Sequence, residues 1–237
     1  MAGDVLEVVD LNKTFGSIKA LQSFNFQAKT GEIIALLGPN GAGKSTLMNM
    51  ISGFLSPTSG KIMINGESIM KNPEKSKSQI GFLPEGAPIY PDMSVHMFLK
   101  YMADLRGASS QDLQDVIEKA HISEVLSQRV ETLSKGYLRR VGFAQSLLGN
   151  PKILLLDEPT DGLDPNQKEH MRHLISSMGE NKIILISTHL LDEAEAVCSR
   201  IIIMAHGKIK IDGTCKEILK TTKSKSLEDA FKTLTRD

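Results

Sequence analysis

The segment Gly38-Pro39-Asn40-Gly41-Ala42-Gly43-Lys44-Ser45-Thr46 sets glycines, a lysine and two hydroxyls at the spacing of a phosphate-binding loop. Glycines let the backbone curl so that successive N–H groups point inward, and a helix starting near Lys44 would aim the positive end of its dipole at the same anion. Lys44 is then placed for the β- and γ-phosphates of a nucleotide, and the Ser45 hydroxyl for Mg²⁺. Two carboxylates, Asp157 and Glu158, follow the apolar run Ile153-Leu154-Leu155-Leu156. Burying such a pair without a task is costly, and phosphoryl transfer needs chiefly positioning and charge neutralisation. Asp157 is therefore assigned to Mg²⁺, directly or through water, and Glu158 to orienting and deprotonating the attacking water. The plainer reading is that one of them caps a turn at Pro159. His189 follows another apolar run, Ile183–Ser187, and would emerge on the same sheet edge to contact the γ-phosphate. Ser134, in Leu133-Ser134-Lys135-Gly136-Tyr137, reads as the N-cap of a further helix, either a second anion site or an ordinary cap.

These groups must be carried by a scaffold of alternating strands and helices. Strand-like runs occur at Val5–Val9, Phe24–Ala28, Ile33–Leu37, Lys61–Ile64, Ile153–Leu156, Ile183–Ser187 and Ile201–Ala205. Ile33–Leu37, Ile153–Leu156 and Ile183–Ser187 are continuously apolar, as parallel strands covered by helices on both faces would be, and are expected at the sheet centre. The N-terminal runs mix polar and apolar residues and are joined by turns such as Thr30-Gly31 and Asn65-Gly66, which suits antiparallel strands. From Ser94 to Leu148 the pattern turns helical. Ser94 would cap a helix with Val95, Phe98, Met102 and Leu105 on one face and Gly107 at its end, followed by a helix around Gln111–Ala120. Met93, Met97 and Met102 read as packing residues or, alternatively, as a partner-docking surface. The lysine-rich stretch Lys216–Lys225 reads as a solvated face.

Composition narrows the classes. A chain of 237 residues suits one large domain or a domain with a subdomain. Its 28 basic and 28 acidic residues argue against a broad nucleic-acid surface. Cys198 and Cys215 form no C-x-x-C pair, consistent with a reducing compartment. The start, Met1-Ala2-Gly3-Asp4-Val5-Leu6-Glu7, is acidic where a secretion signal would be basic, and no apolar run approaches the roughly 20 residues of a spanning helix. A membrane role would come through a partner.

The order of motifs resembles the nucleotide-binding subunit of ATP-binding-cassette (ABC) transporters from Val5 to about Thr233: Gly38–Thr46 (Walker A), Gly81-Phe82-Leu83-Pro84-Glu85 (Q-loop position), Leu133–Tyr137 (signature), Ile153–Glu158 (Walker B), Asp161-Gly162-Leu163-Asp164 (D-loop) and His189 (switch histidine). The resemblance implies an α/β P-loop NTPase with a RecA-like, mostly parallel core sheet, an antiparallel β-subdomain and an inserted α-helical subdomain. By position, 1–32 and 60–72 would form mainly the β-subdomain, 33–59 and 150–214 the core, 86–149 the helical subdomain and 215–237 a helical tail. It further implies ATP hydrolysis with Mg²⁺ and a head-to-tail dimer, homomeric or heteromeric, in which Ser134 and Gly136 contact the γ-phosphate across the interface and Asp164 couples the sites. Catalytic roles fall on Lys44, Glu158 and His189, metal contacts on Ser45, Asp157 and Glu85. The partner would be a separate transmembrane permease, with this chain peripheral at the cytoplasmic face and a docking surface around Glu85–Met97, where Tyr90, Pro91 and Met93 are apolar. A soluble ABC ATPase acting on ribosomes or nucleic acid is the alternative.

Phe15 stands where the family stacks an aromatic on adenine, keeping the ring. Glu85 replaces the usual Gln, so it would either strengthen metal binding or repel ATP. Lys135 and Tyr137 replace Gly and Gln of the signature. The signature, Glu85, the run Asp157–Gln167 and the closing Ser226-Leu227-Glu228-Asp229-Ala230-Phe231 are similar to those of bacterial ABC-2-type exporters.

Overall fold

The computed structural model describes residues 4–86 and 90–236. Strands β1 (Val5–Phe15), β2 (Ile18–Lys29), β4 (Ser59–Ile64) and β5 (Glu67–Ser68) form an antiparallel sheet in the order β2-β1-β4-β5. Asn65 and Gly66 join β4 to β5 with φ of 53° and 77°, the left-handed pair that a tight hairpin demands. Thr30-Gly31 does not make a hairpin of this kind. It carries the chain from β2 into the other sheet, where the Gly31 N–H donates to the Lys182 carbonyl.

The second sheet has the order β10-β9-β3-β8-β7-β6, from β3 (Ile33–Leu37), β6 (Ile80–Leu83), β7 (Ile153–Asp157), β8 (Ile183–Thr188), β9 (Arg200–Ala205) and β10 (Lys208–Gly213). All its pairings are parallel except β9 with β10. The three continuously apolar strands, β3, β8 and β7, are neighbours in its interior. Their side chains divide by parity: Ile34, Leu36, Leu155 and Leu185 face one core, while Leu154, Leu156, Ile184 and Ile186 face another. Helices do not cover both faces alone, because the first core is closed by α1 (Lys44–Ile51) together with the antiparallel sheet through Leu6, Leu11, Phe24 and Phe26. The strands β6 and β10 escape a search for apolar runs. Gly81 interrupts β6, since a Cβ there would collide with the Ser146 carbonyl, and β10 alternates Lys and Ile along an edge.

After α2 (Pro73–Ser78), helices α3 (Val95–Arg106), α4 (Ser110–Lys119) and α5 (Lys135–Leu147) pack on one another, with α5 also against β6. Ser94 caps α3, accepting from the Met97 N–H, and Gly107 ends it at φ 63°. The buried face of α3 is Val95, Phe98, Leu99 and Ala103, with Met102 partly buried. Leu105, placed by sequence on that face, is 64% exposed, since from Val95 a ten-residue step turns it about 80° away. Met93 packs against this core and Met97 is exposed. The chain continues through α6 (Pro165–Gly179) and α7 (Leu191–Val197), and α8 (Cys215–Thr222) and α9 (Leu227–Thr235) close the β3–β9 side around Ile218, Leu227 and Ala230. No helix among the described residues is long and apolar enough to cross a membrane.

Candidate nucleotide site

Strand β3 delivers the loop from a fully buried Leu37 to the first turn of α1. Gly43 is the helix N-cap with φ 101°, and a Cβ there would stand 2.6 Å from the Ala20 carbonyl oxygen, so only glycine fits. No side chain caps α1, which leaves its first N–H groups for a ligand. Lys44 is 8% exposed, and its ammonium donates to the carbonyls of Gly38 at 2.6 Å and Pro39 at 3.2 Å. Burial pushes its pKa down from the ordinary lysine value, opposed by the charges of Glu158, Asp157 and Glu85.

Asp157, buried, ends β7. Glu158 follows in the left-handed region at φ 52° and directs its carboxylate to His189, whose Nδ1 lies 2.9 Å from Oε1. The Thr188 hydroxyl donates to Glu158 Oε2 at 3.4 Å. His189 itself leaves the end of β8 exposed. The two parallel neighbours β7 and β8 thus bring Asp157, Glu158 and His189 to the carboxyl edge of the sheet.

A cavity of about 710 Å³ is lined by Phe15, Ile18, Lys19, Ala20, Gln22, Asn40 to Thr46, Glu85 and His206. Phe15 is half exposed, with Lys13 Nζ 4.9 Å from its ring centroid. Of the residues expected in the site, Gly38, Pro39, Asp157, Glu158 and His189 lie outside this lining, as do Ser134, Gly136 and Asp164. Ser134 is exposed and caps α5, its hydroxyl accepting from the Tyr137 N–H at 3.3 Å. Asp164 caps α6 in the same way, accepting from the Gln167 N–H at 2.9 Å. A Cβ at Gly136 would stand 3.2 Å from the Gly162 carbonyl oxygen, and Lys135 Nζ meets Asp161 Oδ2 at 2.8 Å, so the start of α5 lies against the loop before α6 within one chain.

Several site groups escape the sequence reading. Ile18, Lys19, Gln22 and His206 line the cavity from strand ends and turns whose polar residues carry no motif. Arg139 and Glu193 are buried charged residues on α5 and α7 that touch the ends of β7 and β8 at Glu158 and Thr188. A signal existed for Arg139, a cation on the side of the helix that also buries Phe143 and Ser146.

The family described as ABC transporter matches residues 21–161. The cholesterol transporter ABCA5 of Rattus norvegicus is 38% identical over 206 residues, which span 84% of this chain and 12% of that protein. The linearmycin resistance ATP-binding protein LnrL of Bacillus subtilis is 33% identical over 215 residues, 89% of this chain and 69% of LnrL. A solved structure of the ATP binding subunit of an ABC transporter superposes with a TM-score of 0.91 at 30% identity, covering 98% of this chain and 100% of that one. The dimeric post-hydrolysis structure of the ATP-binding cassette MJ0796 with ADP and Pi superposes at 0.81 with 25% identity, covering 88% and 98%.

Proposed function

The chain belongs to the ABC transporter ATP-binding family, and from that premise we propose that it is the ATP-hydrolysing subunit of an ABC-2-type exporter, acting on a separate transmembrane permease. The observation that carries this reading is the convergence of the α1 N-terminus, Lys44, Asp157 and the Glu158–His189 pair on one sheet edge. ATP phosphates would rest on the loop N–H groups and Lys44, with the base against Phe15. Mg²⁺ fits the donors present: the exposed Ser45 hydroxyl and the buried Asp157 carboxylate are hard oxygen ligands, and Asp157 and Glu85 both lie close enough to act on Lys44. When bound, that ion would neutralise charge on the transferring phosphoryl group. Glu158 accepts a proton from the attacking water, and His189, hydrogen-bonded to Glu158, is held toward the γ-phosphate.

Ser134, Gly136 and Asp164 serve a second copy or a related subunit, whose nucleotide they would meet head to tail. The ADP- and Pi-bound MJ0796 structure, a dimer, supports pairing of two such chains. The permease would dock where core and helical lobe meet. A groove of about 520 Å³ opens there between Phe54, Phe82, Pro84 and Arg106, and Phe54 is 84% exposed on its rim. Tyr90, expected on the docking surface, is exposed and edge-on to Tyr101, while Ala87, Pro88 and Ile89 lie outside the described residues. The chain would sit peripherally at the cytoplasmic membrane face. Phosphate release from Mg-ATP by the purified chain tests the reading: Glu158→Gln should lower kcat about 10²–10⁴-fold. Turnover by Glu158→Gln at the wild-type rate would remove Glu158 from the chemistry.

A further inference from the structure

Arg139 is a buried cation whose hydrogen bonds go to main-chain carbonyls on both catalytic turns. From α5 its Nε donates to the Glu158 carbonyl at 2.9 Å and its Nη2 to the same oxygen at 2.5 Å. Nη2 also reaches the Asp157 carbonyl, and Nη1 donates to Pro84 O at 2.7 Å and Glu85 O at 3.1 Å. A planar guanidinium with five donors in a fixed fork can bridge the end of β7 and the turn after β6 in this way, whereas an ammonium cannot span both. The peptide it grips is the one that needs support. Glu158 has φ 52°, a conformation that a non-glycine residue holds only when its surroundings impose it, and that conformation sends its carboxylate to His189.

We propose that Arg139 is a positioning residue for hydrolysis: it clamps the Glu158 peptide in its left-handed conformation and ties it to the Glu85 turn. The inference rests on the ATPase reading above. It also gives α5 two tasks, because Ser134 at its N-terminus faces outward while Arg139, one turn further on, sets the geometry of this chain's own base. A displacement of the helical lobe would reach Glu158 through one side chain.

Arg139→Lys and Arg139→Gln in the full chain test the clamp. Steady-state turnover of Mg-ATP should fall about 30-fold or more in Arg139→Gln and by less in Arg139→Lys. KM and the Kd of a fluorescent ATP analogue should stay within about threefold of wild type, since Arg139 does not line the nucleotide cavity. A kcat within threefold of wild type in both variants would overturn the proposal, as would losses of affinity that match the losses of kcat. Thermal melts identify a variant that is unfolded at the assay temperature, and Arg139→Lys, which keeps the charge, then carries the comparison. A crystal structure gives a readout besides activity: in Arg139→Gln, residue 158 should leave the left-handed region and lose its contact with His189. Retention of both would refute the clamp, whereas an inactive wild type with a relaxed residue 158 in the variant would refute the ATPase reading and leave the clamp standing.

Discussion

Helices α1 and α5 begin differently. Helix α1 starts at Gly43 with no side chain over its first turn, a buried lysine at its mouth and the carboxylates of Asp157, Glu158 and Glu85 acting on that lysine. Helix α5 starts at Ser134, whose own hydroxyl already accepts from the first turn, and its neighbouring cation Lys135 is spent on Asp161. The first end is an anion site with walls, counter-charges and uncommitted donors. The second is satisfied by itself and stands exposed, so it gains from a phosphate only when another surface brings one. Under the proposed function the difference implies an order of events: nucleotide would be taken up at α1 by one chain, and α5 would become a ligand only as part of an interface.

The α1 end is the more sensitive of the two. Lys44→Ala removes the charge that faces the phosphates and should reduce ATP affinity at least about 100-fold, a loss near 2.7 kcal/mol. ATP-driven dimers should vanish with it, as read by size exclusion with and without Mg-ATP. Nucleotide-dependent dimers persisting in that variant would detach the interface from the α1 site and reverse the order argued above.

Ser134→Ala acts on the other end and should separate the two functions. Loss of the cap costs about 1 kcal/mol of stability, visible in a urea titration. ATP affinity of the isolated chain should remain within about threefold, because Ser134 does not line the cavity, while ATP-driven dimerisation and turnover drop about tenfold or more. An equal fall in affinity and turnover would place Ser134 in its own chain's site.

The same two regions differ in how plainly the sequence encodes them. The α1 end was legible because its chemistry is local: Gly38 to Thr46 are contiguous, and the strand before them is uniformly apolar. The central sheet was legible for a similar reason, since buried parallel strands cannot alternate. What escaped is non-local or is masked by close packing. Gly81 hides β6 because the strand lies against the Ser146 carbonyl. Thr30-Gly31 looks like a hairpin turn, yet its partner is the Lys182 carbonyl far along the chain. Arg139 and Glu193 have no motif, because their partners are Glu158 with Pro84 in one case and Thr160 with Thr188 in the other, all brought close only by folding.

A smaller effect sharpens the electrostatics of the α1 side. Glu85 lines the cavity from an exposed turn, and its charge reaches Lys44 behind those of Glu158 and Asp157 in strength. Glu85→Gln should therefore leave kcat within about one decade, or about 1.4 kcal/mol, of wild type. A loss on the scale of Glu158→Gln would make Glu85 a second essential carboxylate and the α1 site more crowded with charge than the geometry indicates.

The smallest effect lies at the exposed end of α5. Lys135 and Asp161 meet at 2.8 Å, but their side chains are 69% and 46% exposed, so the pair is worth about 0–1 kcal/mol. The Lys135 hydrogen bond holds the Asp161 carboxyl below its usual pKa. A carboxyl depressed in the folded state contributes stability above its unfolded pKa of about 3.9 and loses it as pH falls through the folded value. The stability gap between wild type and Lys135→Ala should accordingly be present at neutral pH, shrink at roughly 1 M salt and close in acid below about pH 4. A gap that survives high salt would mean that the pair is shielded from solvent, and the end of α5 would then resemble the built site at α1 rather than an open half-site waiting for its partner.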